Sequence, residues 1–204
     1  MSSRKRLVAA VPWVLAGGIV LSLAALQLVH FEPTQREEPS DPTEKGLQVA
    51  DAARSPDSLR EFLNSTPIGS IVVICANGRP SKHTWEELQG GMIRVGAQRE
   101  ISPVRGASFI IVGVMGGQLG SAIWRMGVQQ VEIRLDEGEK IGSTGVGAIK
   151  AWPCRIVARS IGDAEGIGRA IIAIGGVQCS PNRPGLNVVV IDESGRCISR
   201  AHFR

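Results

Sequence analysis

Any chemistry in this chain falls to four cysteines and three histidines, and neither set has the spacing that catalysis or metal binding requires. Cys75, Cys154, Cys179 and Cys197 include no C-x-x-C pair, and no histidine lies near any of them in a zinc-like pattern, so no metal site is expected. If all four lie in an oxidising compartment, disulfides are one reading, with three pairings open; buried thiols on strands are the other. His30, His83 and His202 fall in no His-x-x-x-His, Gly-x-Ser-x-Gly or Cys/His arrangement, so no nucleophile or general base is assembled. Gly166-Ile167-Gly168 lacks the Lys-Ser/Thr of a phosphate loop and reads as a turn. The expectation is a non-catalytic protein without a cofactor. Recognition is the chemistry that remains. Asn182, Arg183 and Asn187 stand on a Pro/Gly turn, where they could hydrogen-bond a sugar or a partner backbone, or simply fix the loop that enters a strand. Trp85, Trp124 and Trp152 are the candidate aromatic platforms in a chain with no tyrosine.

These residues sit behind a segment that reads as a membrane anchor. Arg4, Lys5 and Arg6 precede an uncharged stretch from Leu7 to Val29, which as a helix spans about 34 Å, enough to cross a hydrocarbon core with some tilt. A signal-peptide core is shorter, and no convincing cleavage site follows; a cleaved signal sequence is the alternative. The flank changes sign at Glu32, Glu37, Glu38 and Asp41, so the amino terminus is expected in the cytoplasm and the rest outside it. Trp13 is placed near the headgroups, with the basic cluster as the other topology anchor. The expected organisation is a cytoplasmic end at 1–6, a transmembrane helix at 7–30 and a Pro-rich charged linker at 31–46. A globular domain then fills 47–204, with an internal Gly/Ser-rich linker at 136–148. The formal charge of +4 comes partly from the basic cluster, so nucleic acid is not an expected partner.

The domain reads as strands joined by tight turns. Buried strands are expected at 70–75 and 108–114, a half-buried strand with Glu132 and Arg134 outward at 131–135, and further strands at 155–160, 170–174, 187–191 and 197–202. Glu193-Ser194-Gly195-Arg196 is the turn of a terminal hairpin. Two short helices are expected, one opening at Ser55-Pro56-Asp57 and one at 84–92 capped by Thr84 with Glu87 in the capping-box position. Strands outweigh helices, which gives an α+β, β-rich class with antiparallel or mixed sheets plus one amino-terminal transmembrane helix.

The run Ser180-Pro181-Asn182-Arg183-Pro184-Gly185-Leu186-Asn187-Val188-Val189-Val190-Ile191-Asp192 resembles the opening half of the interleukin-like EMT inducer (ILEI, or PANDER-like) domain. Elements resembling that domain's second half lie before it: the helix at 59–64, Thr66-Pro67-Ile68-Gly69-Ser70-Ile71-Val72, the helix near Trp85, and the strand from Ser108 to Gly116. The resemblance covers nearly all of 47–203 in swapped order, as a circular permutation joined at 136–148 would give; two partial copies completed by dimerisation is the alternative. A permuted domain places the last strand beside residues 47–53. Family members are secreted signalling proteins or lectin-like stem domains, including the sugar-holding stem of a protein O-mannose N-acetylglucosaminyltransferase. The resemblance therefore implies an interaction domain and leaves the activity open.

Together these readings give a single-pass protein of the bacterial inner membrane with a periplasmic domain. The expected role is an accessory subunit of a larger photosynthetic, respiratory or export complex, with membrane lipid and integral membrane subunits as partners. A carbohydrate-binding envelope protein is the alternative.

Overall fold

The computed structural model describes residues 57–98, 106–140, 151–163 and 168–204, all within one compact unit, Lys45–Arg204. Its centre is built from three largely apolar runs, β1 (Ile71–Asn77), β2 (Ser108–Val114) and β8 (Gly185–Ile191), buried along their whole length. A strand with apolar side chains on both faces has to be covered on both. These three are adjacent in a five-stranded antiparallel sheet of order β3-β2-β1-β8-β9, edged by β3 (Ile123–Gly127) and β9 (Cys197–Phe203). Alternate residues divide between two cores. Val72, Ile74, Phe109, Ile111, Val188 and Val190 face a helical layer, while Ile71, Val73, Ile110, Val112, Val189 and Ile191 face a second sheet. That second sheet is also antiparallel, with order β4-β5-β6-β7, from β4 (Val131–Leu135), β5 (Ile156–Ile161), β6 (Arg169–Ile174) and β7 (Val177–Gln178). It contributes Ile133, Leu135, Ile156, Ala158, Ile172 and Ile174 to the shared core.

The helical layer consists of α1 (Leu59–Ser65) and α2 (Lys82–Met92). Their caps are Ser58 and Ser81, each three residues before the backbone N–H it receives, where the sequence pointed to Asp57 or Ser55 and to Thr84. Glu87 does not close a box on its own helix. Its carboxylate accepts the backbone N–H of Leu59 at 3.1 Å, so a side chain of α2 caps the first turn of α1. The chain end is fastened to the same layer: Phe203 packs on Phe62 with ring centroids 5.8 Å apart, and Ser81 and Thr84 both donate to the Arg204 carbonyl. The last strand thus ends against the first described helix; residues 47–53, where its neighbour was expected, lie outside the described residues.

At one end the two sheets are stitched together. The β1–β2 ladder stops at Cys75↔Ile110, and where the next pair would bond, the Ser160 hydroxyl of β5 enters instead. It accepts from Phe109 N–H at 2.9 Å and donates to the Ala76 carbonyl at 2.7 Å. Ser108 answers from β2 by accepting Gly162 N–H at 2.7 Å. The approach is so close that a Cβ on Gly162 would lie 2.0 Å from the Gly106 carbonyl oxygen.

The architecture is therefore β-rich, two antiparallel sheets with two helices, in agreement with the α+β class expected. Strands β3 and β7 are elements that sequence pattern did not indicate. Among the described residues no helix is long and apolar enough to cross a membrane; the 7–30 stretch, with Arg4, Lys5, Arg6 and Trp13 around it, lies outside them, as does 141–150 of the internal linker.

Candidate interaction surface

The loop 180–187 is where recognition chemistry was expected, and its asparagines are engaged in hydrogen bonds within the domain. Asn187 is fully buried; its Oδ1 accepts Arg183 N–H and its Nδ2 donates to the Arg183 carbonyl, locking the turn that feeds β8. Asn182 holds a left-handed backbone, φ 51°, which Asn tolerates better than most residues. Its Oδ1 accepts from Ala170 N–H at 2.9 Å and from Asn77 Nδ2 at 3.2 Å, tying the loop to β6 and to the end of β1. Asn187 spends both polar atoms inside the domain, whereas Asn182 is an exposed residue that engages its Oδ1 in these ties. Arg183 is exposed beside them.

The three tryptophans separate in the same way. Trp85 lies in the helix-side core, edge-on to Phe109 at 5.3 Å, and Trp152 lies in the core between the sheets. Neither offers a ring to a ligand. Trp124, by contrast, is 37 % exposed on β3. Ile123 and Arg125 beside it are exposed on the opposite face of the strand, and Leu119 and Val128 are exposed before and after it. Met126 is half-buried and packs with Ala122 against the helix-side core, which is what holds the strand in place. Because β3 terminates the five-stranded sheet among the described residues, it presents a row of backbone donors and acceptors flanked by apolar side chains, the arrangement to which a partner strand can add.

A groove between α1 and α2, lined by Arg60, Leu63, Asn64, Gly90, Gly91 and Arg94, holds about 240 Å³. Ligand pockets usually enclose roughly 300–1,000 Å³. His83 is exposed on α2, while His202 is half-buried on β9, and burial followed by the charges of Arg183 and Arg204 holds its pKa below the usual imidazole value. The two histidines belong to different elements, and His30 lies outside the described residues. Among the described residues no group of three or more His, Cys, Asp or Glu side chains is arranged to hold a metal ion.

All four cysteines are free thiols. Cys75 is sealed on β1 in the core between the sheets, where burial pushes its pKa far up. Cys154, Cys179 and Cys197 gather on the other side of that core, brought there by the start of β5, the end of β7 and the start of β9. Their spacing in sequence gave no sign of this, because the sheet stacking alone makes them neighbours.

No curated protein and no solved structure matches the chain significantly. The 180–192 run lies outside the residues that match a family model. Residues 44–117, which include α1, β1, α2 and β2, match the family described as interleukin-like EMT inducer, so the chain contains an ILEI-like segment that supplies the helical layer and the middle of the central sheet.

Proposed function

We propose that this protein is a non-catalytic, single-pass membrane-anchored interaction protein whose periplasmic domain docks on other subunits of an inner-membrane complex. The observation that carries the reading is strand β3, an edge strand with Ile123 and Trp124 exposed on its two faces. An exposed apolar edge is a liability for an isolated domain and an asset for one that pairs with a neighbour. The ILEI-like segment supports an extracellular interaction role, and the uncharged 7–30 stretch supports the anchor. Trp124 also favours a second reading, carbohydrate binding, since an exposed ring on a rigid strand is the kind of platform a sugar stacks on.

The test is purification of the full chain from its native membrane in mild detergent, with mass spectrometry of what accompanies it. Stoichiometric membrane subunits are expected for the wild type, reduced at least tenfold for Ile123→Lys and for charge reversals within 31–46. His83→Ala and His202→Ala should leave the association unchanged. A lone monomer that is retained on glycan resin, and loses retention as Trp124→Ala, refutes the docking role in favour of the lectin one.

A further inference from the structure

We propose that the loops gathered at one end of the central sheet dock on a lipid surface, with Ile68, Ile93 and Leu119 entering the headgroup layer and Arg60 and Arg94 meeting the phosphates of anionic lipids. The three apolar residues stand on separate connections: the turn from α1 to β1, the single 3₁₀ turn Ile93–Val95 that follows α2, and the loop from β2 to β3. They are 77, 61 and 59 % exposed. Strand register brings the connections together, because β1 opens at Ile71 opposite Val114, where β2 ends, and β3 opens at Ile123 opposite Val112. Backbone hydrogen bonds then staple them to one another: Gly69 N–H to the Met115 carbonyl at 2.9 Å, Gly116 N–H to the Arg94 carbonyl at 2.7 Å, and Gly120 N–H to the Gly96 carbonyl at 2.7 Å. Gly116 is part of the fit, since an added Cβ there would lie 3.0 Å from Ile68 Cγ2. The apolar tips are thus held outward on a fixed frame.

Beside the tips runs the groove between α1 and α2. Gly90 and Gly91 give it a wall without side chains, which α1 approaches so closely that a Cβ on Gly91 would lie 2.5 Å from Leu63 Cδ1. Arg60, Asn64 and Arg94, all exposed, supply its polar lining. Arg94 belongs to both features, since it lines the groove while its carbonyl holds the loop that carries Leu119. Neither arginine has a carboxylate partner among the described residues. The nearby acids of α2 are occupied, Glu86 by Lys82 and Glu87 by Leu59 N–H, and Glu61 is not among the residues that line the groove. A space of about 240 Å³ is short for a drug-sized ligand and ample for a single phosphate group.

A bilayer fits this surface better than a partner protein does. Three aliphatic side chains on separate loop tips offer far less than the roughly 800 Å² that one side of a stable protein interface buries. A lipid surface asks only that apolar groups reach about 5–10 Å into the headgroup boundary and that cations stand among anionic lipids. Each arginine near such a surface strengthens the attraction about fivefold, and salt screens it. The inference rests on the anchored reading above in one respect: an anchor at 7–30 keeps lipid at high effective concentration, so a weak contact is still occupied. Only Leu119 adjoins the β3 edge, so substitutions at Ile68 and Ile93 separate this surface from that one.

The experiment places the purified full chain in nanodiscs of phosphatidylcholine, with or without phosphatidylglycerol, whose acyl chains carry a photoactivatable group near the headgroup, and maps the label after trypsin. Peptides ending at Arg79, Arg94 and Arg125 hold Ile68, Ile93 and Leu119. The expected result is label in all three with phosphatidylglycerol, at least fivefold less without it, about fivefold less for Arg94→Gln and at least fivefold less for Ile93→Asp. Lys82→Gln, which removes an exposed cation at the other end of α2, should leave the label unchanged. Label confined to 7–30 overturns the proposal and leaves the anchored reading standing, whereas label in the three loops with none at 7–30 upholds the proposal and refutes that reading. Label spread evenly over the domain, or indifferent to lipid charge and to Arg94→Gln, overturns it. So does footprinting of the natively purified complex that finds these loops covered by another subunit. The wild-type map in the two lipids decides the matter even if a variant fails to fold.

Discussion

Ser160→Ala removes one oxygen from a fully buried position and leaves two backbone groups stranded. Phe109 N–H loses its acceptor and the Ala76 carbonyl loses its donor, because the β1–β2 ladder has already ended and the two strands do not bond each other there. A buried polar group left unpaired costs about 1–3 kcal/mol, so the substitution should destabilise the domain by about 2–4 kcal/mol once partial relaxation is allowed. For a domain of this size each kcal/mol lowers Tm by about 2–4 °C, which puts the expected shift at roughly 5–15 °C. Ser108→Ala strands only Gly162 N–H and should cost about half as much. The assay is urea unfolding of the full chain in mild detergent, followed by the fluorescence of the interior Trp85 and Trp152, with the m-value checked for constancy. Glu193→Ala, on the exposed hairpin turn, serves as the surface control and should change stability by less than about 0.5 kcal/mol. If Ser160→Ala behaves like that control, the hydroxyl is not a structural part of the ladder and the reasoning is wrong.

Gly162→Ala should be more damaging than Gly175→Ala, because the first puts a methyl 2.0 Å from a backbone oxygen while the second meets open space and only strains φ 57°. About 3 kcal/mol against about 1 is the expected contrast in the same titration. At the β8–β9 turn, desolvation raises the Asp192 carboxyl but hydrogen bonds from Ser194 and from the Arg196 backbone and guanidinium outweigh it, leaving a pKa of about 2. A depressed carboxylate stabilises the fold above its unfolded pKa of about 3.9 and loses that contribution as pH falls toward 2, so Asp192→Asn should flatten the acid limb of a stability–pH curve. A chain rebuilt with 149–204 ahead of 47–136 should keep the far-ultraviolet spectrum and a single unfolding transition; dimerisation as a condition of folding would instead favour two partial copies.

Much of the central sheet was legible because burial on both faces favours apolar residues: β1, β2 and β8 each carry a Val/Ile-rich stretch, with polar residues only near their ends. The alternation of β4 was equally clear, since Glu132 meets Arg159 and Arg134 on the outer face while Ile133 and Leu135 point in. Strand β3 escaped because exposure on both faces removes any period, and β7, two residues long, is too short to have one. The helix caps were misplaced by three residues at Thr84, and Glu87 was given to the wrong helix, because its actual partner is 28 residues away in sequence. Ser160 did carry a local signal, as the one hydroxyl on the inward face of β5 after Ile156 and Ala158. The thiol cluster carried none, since its members share only a place in the stacked sheets.

The serine corner also sets how the domain breathes. It fastens the end of β5 to the first sheet, whereas Ile156, where β5 begins, pairs with Ile174 at the far end of the second sheet, toward β7 and the thiols. Fluctuations that part the sheets therefore pivot about Ser160 and are widest near Cys179. Amide exchange should follow that gradient: Phe109 and Gly162 N–H, locked on serine hydroxyls, wait for global unfolding, while Gly175 and Val177 exchange through partial opening.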